Sequence, residues 1–121
     1  MTLDFTLSDE QEKFREELRE FLSKEIEPKA SYWDQTEEYP MESLRKLGER
    51  RYLGLLIPKE FGGLGADYVT TGIFAEEIGR ADMNTATPAL IHLAATHCIA
   101  NFGSEDMKKK WLPKAARGEV I

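Results

Sequence analysis

Every long apolar pattern in this chain repeats at helical spacing, and none alternates as a strand would. Ser8-x-x-Gln11 reads as a capping box, in which each side chain satisfies a free backbone N–H of the other. Phe14, Leu18, Phe21, Leu22 and Ile26 follow as one stripe, with Glu12, Glu16, Arg19 and Glu20 on the opposite, solvated side. Asp67 caps a later helix that buries Ile73, Phe74, Ile78 and Ala81. The most apolar stretch runs from about Thr85 to Phe102, with apolar residues all round, which predicts a central buried helix. These patterns predict an all-α bundle of about six helices forming a single domain over residues 1–121.

One stretch divides the bundle. Ile57-Pro58-Lys59-Glu60-Phe61-Gly62-Gly63-Leu64-Gly65 holds the only glycine cluster. Pro58 restrains its own φ and biases Ile57 toward extended geometry, while the glycines permit sharp turning and close backbone approach. A solvated linker has no use for Phe61 and Leu64, so the loop is expected to pack on the core. Its spacing is neither the dinucleotide fingerprint nor the Walker pattern. Leu53 to Ile57 is read as an extended run into it.

Between these landmarks, Pro28 predicts a bend followed by a short second helix with Ala30 and Trp33, and Asp34 to Tyr39 a loop. Pro40 suits the start of a third helix with Met41, Leu44 and Leu47 inward. In the fourth helix, Glu76 and Glu77 read as paired surface charges; no Glu-x-x-His pair supports a carboxylate-bridged metal. In the fifth, Pro88 belongs in or near the first turn. His92 and His97 lie about 140° apart around the helix and cannot share one metal, so they read as satisfied core or boundary residues. Cys98 reads as a small core residue. Ser104 caps a sixth helix whose Met107, Trp111 and Leu112 are expected inside; Lys108, Lys109 and Lys110 read as a solvated face. Pro113 should kink or restart that helix, and Gly118 should end it, with Glu119 to Ile121 extended.

Charge narrows the function. The 121 residues carry a net charge of −6, which disfavours a nucleic-acid partner. The single cysteine excludes an internal disulfide and a multi-cysteine metal site. No run is apolar and long enough to span a bilayer, and no secretory signal is visible, so the cytoplasm is the expected location. No catalytic constellation and no metal site can be assembled from these residues.

Three stretches, in order, carry a family resemblance. They are Ile57 to Gly65, then Glu76-Glu77-Ile78-Gly79-Arg80-Ala81-Asp82, then Asn101-Phe102-Gly103-Ser104-Glu105-Asp106-Met107-Lys108-Lys109-Lys110-Trp111-Leu112-Pro113. Together they resemble the amino-terminal helical domain of acyl-CoA dehydrogenases, and the likeness covers essentially the whole chain. It implies a three-domain flavoenzyme whose flavin-contacting Thr-Glu-Pro motif and catalytic glutamate lie outside these residues. The implied reaction is α,β-dehydrogenation of an acyl-CoA thioester: a carboxylate takes the α-proton and FAD takes the β-hydride. On that expectation the 121-residue piece alone is inactive and does not hold FAD tightly. The implied partners are the acyl-CoA substrate, an electron-transferring flavoprotein and further copies of the same chain. A free-standing helical interaction module, and a related acyl-CoA oxidase or flavin monooxygenase, stand as alternatives.

The resemblance also implies a substrate-binding face. Matched backward from Lys108-Lys109-Lys110-Trp111, the family's acyl-pocket positions fall near Ala86, Thr87, Leu90, Ile91 and Ala94. Their separations of three and four residues would place them on one helix face, and they are mostly small or aliphatic.

Overall fold

The computed structural model describes residues 3–121. Six α-helices follow one another: α1 (Asp9–Glu25), α2 (Ala30–Thr36), α3 (Met41–Glu49), α4 (Tyr68–Ala81), α5 (Met83–Phe102) and α6 (Glu105–Ala116). No strand occurs among the described residues. The all-α reading therefore holds.

The starts of the helices are written locally. The Ser8 box closes in both directions, with Oγ accepting from the Gln11 amide at 3.1 Å and the Ser8 amide donating to Gln11 Oε1 at 2.9 Å. Asp67 and Ser104 accept from the amides of Thr70 and Met107 and so cap α4 and α6. Leu18, Phe21, Leu22 and Ile26 are buried, as the stripe predicts. They meet Leu44 and Leu47 of α3 and Phe74 and Ile78 of α4 in one core. Tyr52 sits among Phe14, Phe21 and Phe74 with ring centroids 5.5 to 6.1 Å away, within the range of favourable aromatic pairs.

The glycine loop is packed down through Ile57 and Phe61, but Leu64, expected to pack with them, is 37 % exposed. Ile57 is fully buried, and Phe61 packs beside it against α6. A Cβ on Gly63 would run into the Ile57 carbonyl, so only glycine fits there. The run before the loop is not extended, however. Tyr52–Gly54 forms a 3₁₀ turn that buries Leu53 and Leu55, because short-range backbone bonds let both side chains reach the core at once. Gly118, at φ +73°, turns the chain after α6 and lies against Gly48 of α3.

Several expectations are corrected by packing. α2 continues through Asp34 to Thr36 before Glu37 ends it in the left-handed region. Met41, Met107 and Trp111 are 37 to 45 % exposed instead of inward, since each lies at the edge of its helix's apolar stripe. Pro113 continues α6 without ending it. α5 begins at Met83, two residues before the predicted start, because Asp82 caps it by accepting from the Asn84 amide at 3.0 Å. Pro88 is consequently its sixth residue, past the first turn, and withholds the amide that would pair with the Asn84 carbonyl.

Glu77 is the largest departure on α4. It is 2 % exposed, not a surface charge. The Arg19 guanidinium grips it with two hydrogen bonds, Nη2 to Oε1 at 2.6 Å and Nε to Oε2 at 3.0 Å, and Arg80 approaches at 3.5 Å. The Arg19 hydrogen bond holds the Glu77 carboxyl below its ordinary pKa, against the opposing effect of burial. Arg19 of the supposedly solvated face of α1 thus ties α1 to α4.

Candidate functional site

α5 is 20 residues long, roughly 30 Å at 1.5 Å per residue, and contains no Asp, Glu, Lys or Arg. It is not buried all round, contrary to its pattern. Thr85, Ala86, Ala89, Leu93 and Thr96 face the core. On the other side Met83, Thr87, Ile91, Ala94, Ala95, Cys98 and Phe102 are exposed, Ile91 by 64 % and Phe102 by 88 %. Cys98 is therefore a surface residue, not a core one. The other five helices cover only one side of α5. Even so, no helix among the described residues is long and apolar enough to cross a membrane.

An open groove of about 430 Å³ runs along this face. Thr87, Pro88, Ile91 and Ala95 form its floor, and Tyr39 and Ile121 its two sides. Tyr39 arrives there because Glu37 turns the chain out of α2 and Pro40 turns it into α3. The Thr87 hydroxyl donates to the Met83 carbonyl at 3.1 Å and is thereby spent on the helix itself. Of the five matched positions, Thr87 and Ile91 meet in the groove. Ala94 is exposed beside it, and Leu90 is half-buried against the core. Ala86 is fully buried in the core cluster and presents no surface. Tyr39 and Ile121 could not be found by helical spacing, since both reach the groove from other parts of the chain.

His92 borders the groove from below and is 7 % exposed. Its Nε2 lies 3.1 Å from the Ala115 carbonyl of α6; a carbonyl only accepts, so Nε2 carries the proton. Burial pushes its pKa below 6.5, the backbone carbonyls of Ala115 and Leu53 opposing that shift. It is a neutral, satisfied core histidine, as the sequence suggested. His97 is a boundary residue, 3.0 Å from the Tyr68 hydroxyl, with the two rings edge-to-face. No group of three or more His, Cys, Asp or Glu residues that could hold a metal occurs among the described residues.

The glycine loop does not fit the phosphates of a dinucleotide. Its amides are spent inside the loop and on its flanks: Gly62 N–H on Lys59, Gly63 on Pro58, Leu64 on Gly54, Gly65 on Ile57 and Ala66 on Leu55. These five amides are therefore not free to point at an anion, which is what a phosphate cradle requires.

Comparison with known proteins agrees with this arrangement. The family model "Acyl-CoA dehydrogenase, N-terminal domain" matches residues 8–119. The short-chain-specific acyl-CoA dehydrogenase of Clostridium acetobutylicum is 36 % identical over 120 residues, which cover 98 % of this chain and 32 % of that protein. A glutaryl-CoA dehydrogenase in complex with glutaryl-CoA superposes with a TM-score of 0.88 at 36 % identity, over 97 % of this chain and 31 % of that one. An electron transferring flavoprotein structure from Acidaminococcus fermentans contains a chain that superposes with a TM-score of 0.87 at 27 % identity, over 98 % of this chain and 32 % of that one. The 121 residues thus span about a third of the length of such relatives. A domain match over nearly the whole chain, on a helical fold that leaves one charge-free face of α5 uncovered, places this protein in the acyl-CoA dehydrogenase family, as its amino-terminal helical domain.

Proposed function

We propose that this domain forms one wall of the acyl-binding cleft of an FAD-dependent acyl-CoA dehydrogenase, with Thr87, Leu90, Ile91 and Ala94 of α5 along the acyl chain. The observation that carries this reading is the uncovered, charge-free face of α5 with its groove. An aliphatic chain gains by leaving water against such a face, and nothing on it has to be desolvated at a cost. Ala86, matched with them from the motifs, is buried in the core and acts from behind, by setting how closely α5 packs on the core.

In the reaction, these residues bind and orient the acyl chain and keep water from it; the catalytic base belongs to another part of the enzyme. The flavin rests on the other domains, and this domain's share is to help cover it. Thioester dehydrogenation is the chemistry of the whole enzyme, with an electron-transferring flavoprotein as acceptor and a homo-oligomeric cytoplasmic assembly.

Ala94→Phe in the full-length polypeptide tests the wall. Ala94 is exposed in this domain, so the melting temperature of the 121-residue chain should be unchanged. The larger ring should shorten the preferred acyl chain, read as kcat/KM across a series of acyl-CoA lengths. An unchanged length profile refutes the assignment.

A further inference from the structure

We infer that the acyl pocket takes an uncharged acyl tail and rejects one that ends in a second carboxylate. This rests on the reading of α5 as the acyl wall and deepens it. Family membership does not decide the point, because the superposed glutaryl-CoA dehydrogenase holds a thioester with such a carboxylate. The local charges do. A carboxylate moved out of water needs a cation or several donors to replace its hydration. α5 supplies no cation over its 20 residues. The Thr87 hydroxyl already donates to Met83.

No lysine or arginine lines the groove, and Lys29, beside Trp33 of the adjoining hollow, is paired with Glu42 at 3.6 Å. His92, the one basic side chain on its wall, is buried and donates its Nε2 proton to Ala115. Arg117, four residues before Ile121, is paired through two nitrogens with Glu119 at 2.7 and 3.3 Å. At the Tyr39 end, the adjoining hollow is lined by Asp34, Glu37 and Glu38, which repel a second carboxylate. An apolar floor with acids at its rim accepts a methyl-ended chain and excludes a carboxyl-ended one.

Two unreactive CoA thioethers of matched length test this on the full-length flavoenzyme: S-hexyl-CoA and S-(5-carboxypentyl)-CoA, titrated calorimetrically. The hexyl compound should bind about 100-fold more tightly or better, as expected when a site leaves a buried charge unpaired. Ile91→Arg should narrow that ratio at least about tenfold by pairing the carboxylate, and Ile91→Met should preserve it. Ile91 is 64 % exposed in the 121-residue chain, so in that chain both variants should melt with the parent. If the parent binds the carboxylated compound as well as the hexyl one, and Ile91→Arg still shifts the ratio, the tail inference is overturned while the wall stands. If neither Ile91→Arg nor Thr87→Arg moves either affinity, α5 is not the acyl wall and the inference falls with it.

Discussion

α1 and α5 are the two longest helices, and each buries one face in the same core; their outer faces are opposites. The outer face of α1 is charged and laced with local ion pairs, such as Lys24 with Glu20 at 2.8 Å and Arg15 with Glu12 at 2.7 Å. Such pairs add little stability but keep a surface wetted. The outer face of α5 carries no charge, and its largest side chains, Ile91 and Phe102, stand mostly in solvent. A contiguous exposed apolar strip of this kind marks a contact surface. Two helices with similar inner faces therefore do different work, and only the outer faces distinguish them.

The comparison breaks if the inner faces are not equivalent. Leu18→Ala on α1 and Leu93→Ala on α5 each remove a buried side chain, exposed by 0 % and 2 % respectively. Each should cost about 2–5 kcal/mol by chemical denaturation of the 121-residue chain. A much smaller loss at Leu93 would mean that α5 is held loosely until its outer face is covered.

The charged partner of α1 can be tested separately. Glu77→Ala leaves two arginines without their carboxylate and should cost about 2–3 kcal/mol. Because the folded-state pKa of Glu77 is lowered, its contribution is fully present above the ordinary value of 4.5 and is lost as pH falls through the lowered value. Unfolding midpoints of parent and Glu77→Gln should thus converge as pH falls from 4.5 through the lowered folded-state value. Midpoints that stay parallel would show that the pair does not titrate with folding.

The smallest expected effect on stability is the sharpest test of the outer faces. Ile91→Ser should change the unfolding free energy by less than about 0.5 kcal/mol, as Glu16→Ser on α1 should. Only Ile91→Ser should weaken self-association of the 121-residue chain and its uptake of a hydrophobic dye. Equal behaviour of the two variants would remove the distinction between the helices.

The starts of α1, α4 and α6, the inner stripe of α1 and the tight loop were legible in sequence because each depends on neighbours within a few residues; the Asp82 cap of α5 is as local and was passed over. Ser8 with Gln11, Asp67 with Thr70 and Gly63 beneath Ile57 are such cases. The motifs from Ile57 to Pro113 identified the family for the same reason, being contiguous in the chain. The uncovered face of α5 was legible only in part. Spacing placed Thr87, Ile91 and Ala94 on one side of α5, but put Ala86 with them although it lies in the core. An apolar pattern that runs all round a helix does not say which side finds partners. Tertiary structure decided that, by placing α3, α4 and α6 against one side alone. It also decided that Glu77 is buried, since its partner Arg19 is 58 residues away and no local rule links them. Tyr39 and Ile121 enter the groove for the same reason: a site gathered from distant segments has no period, and only the packed chain brings it together.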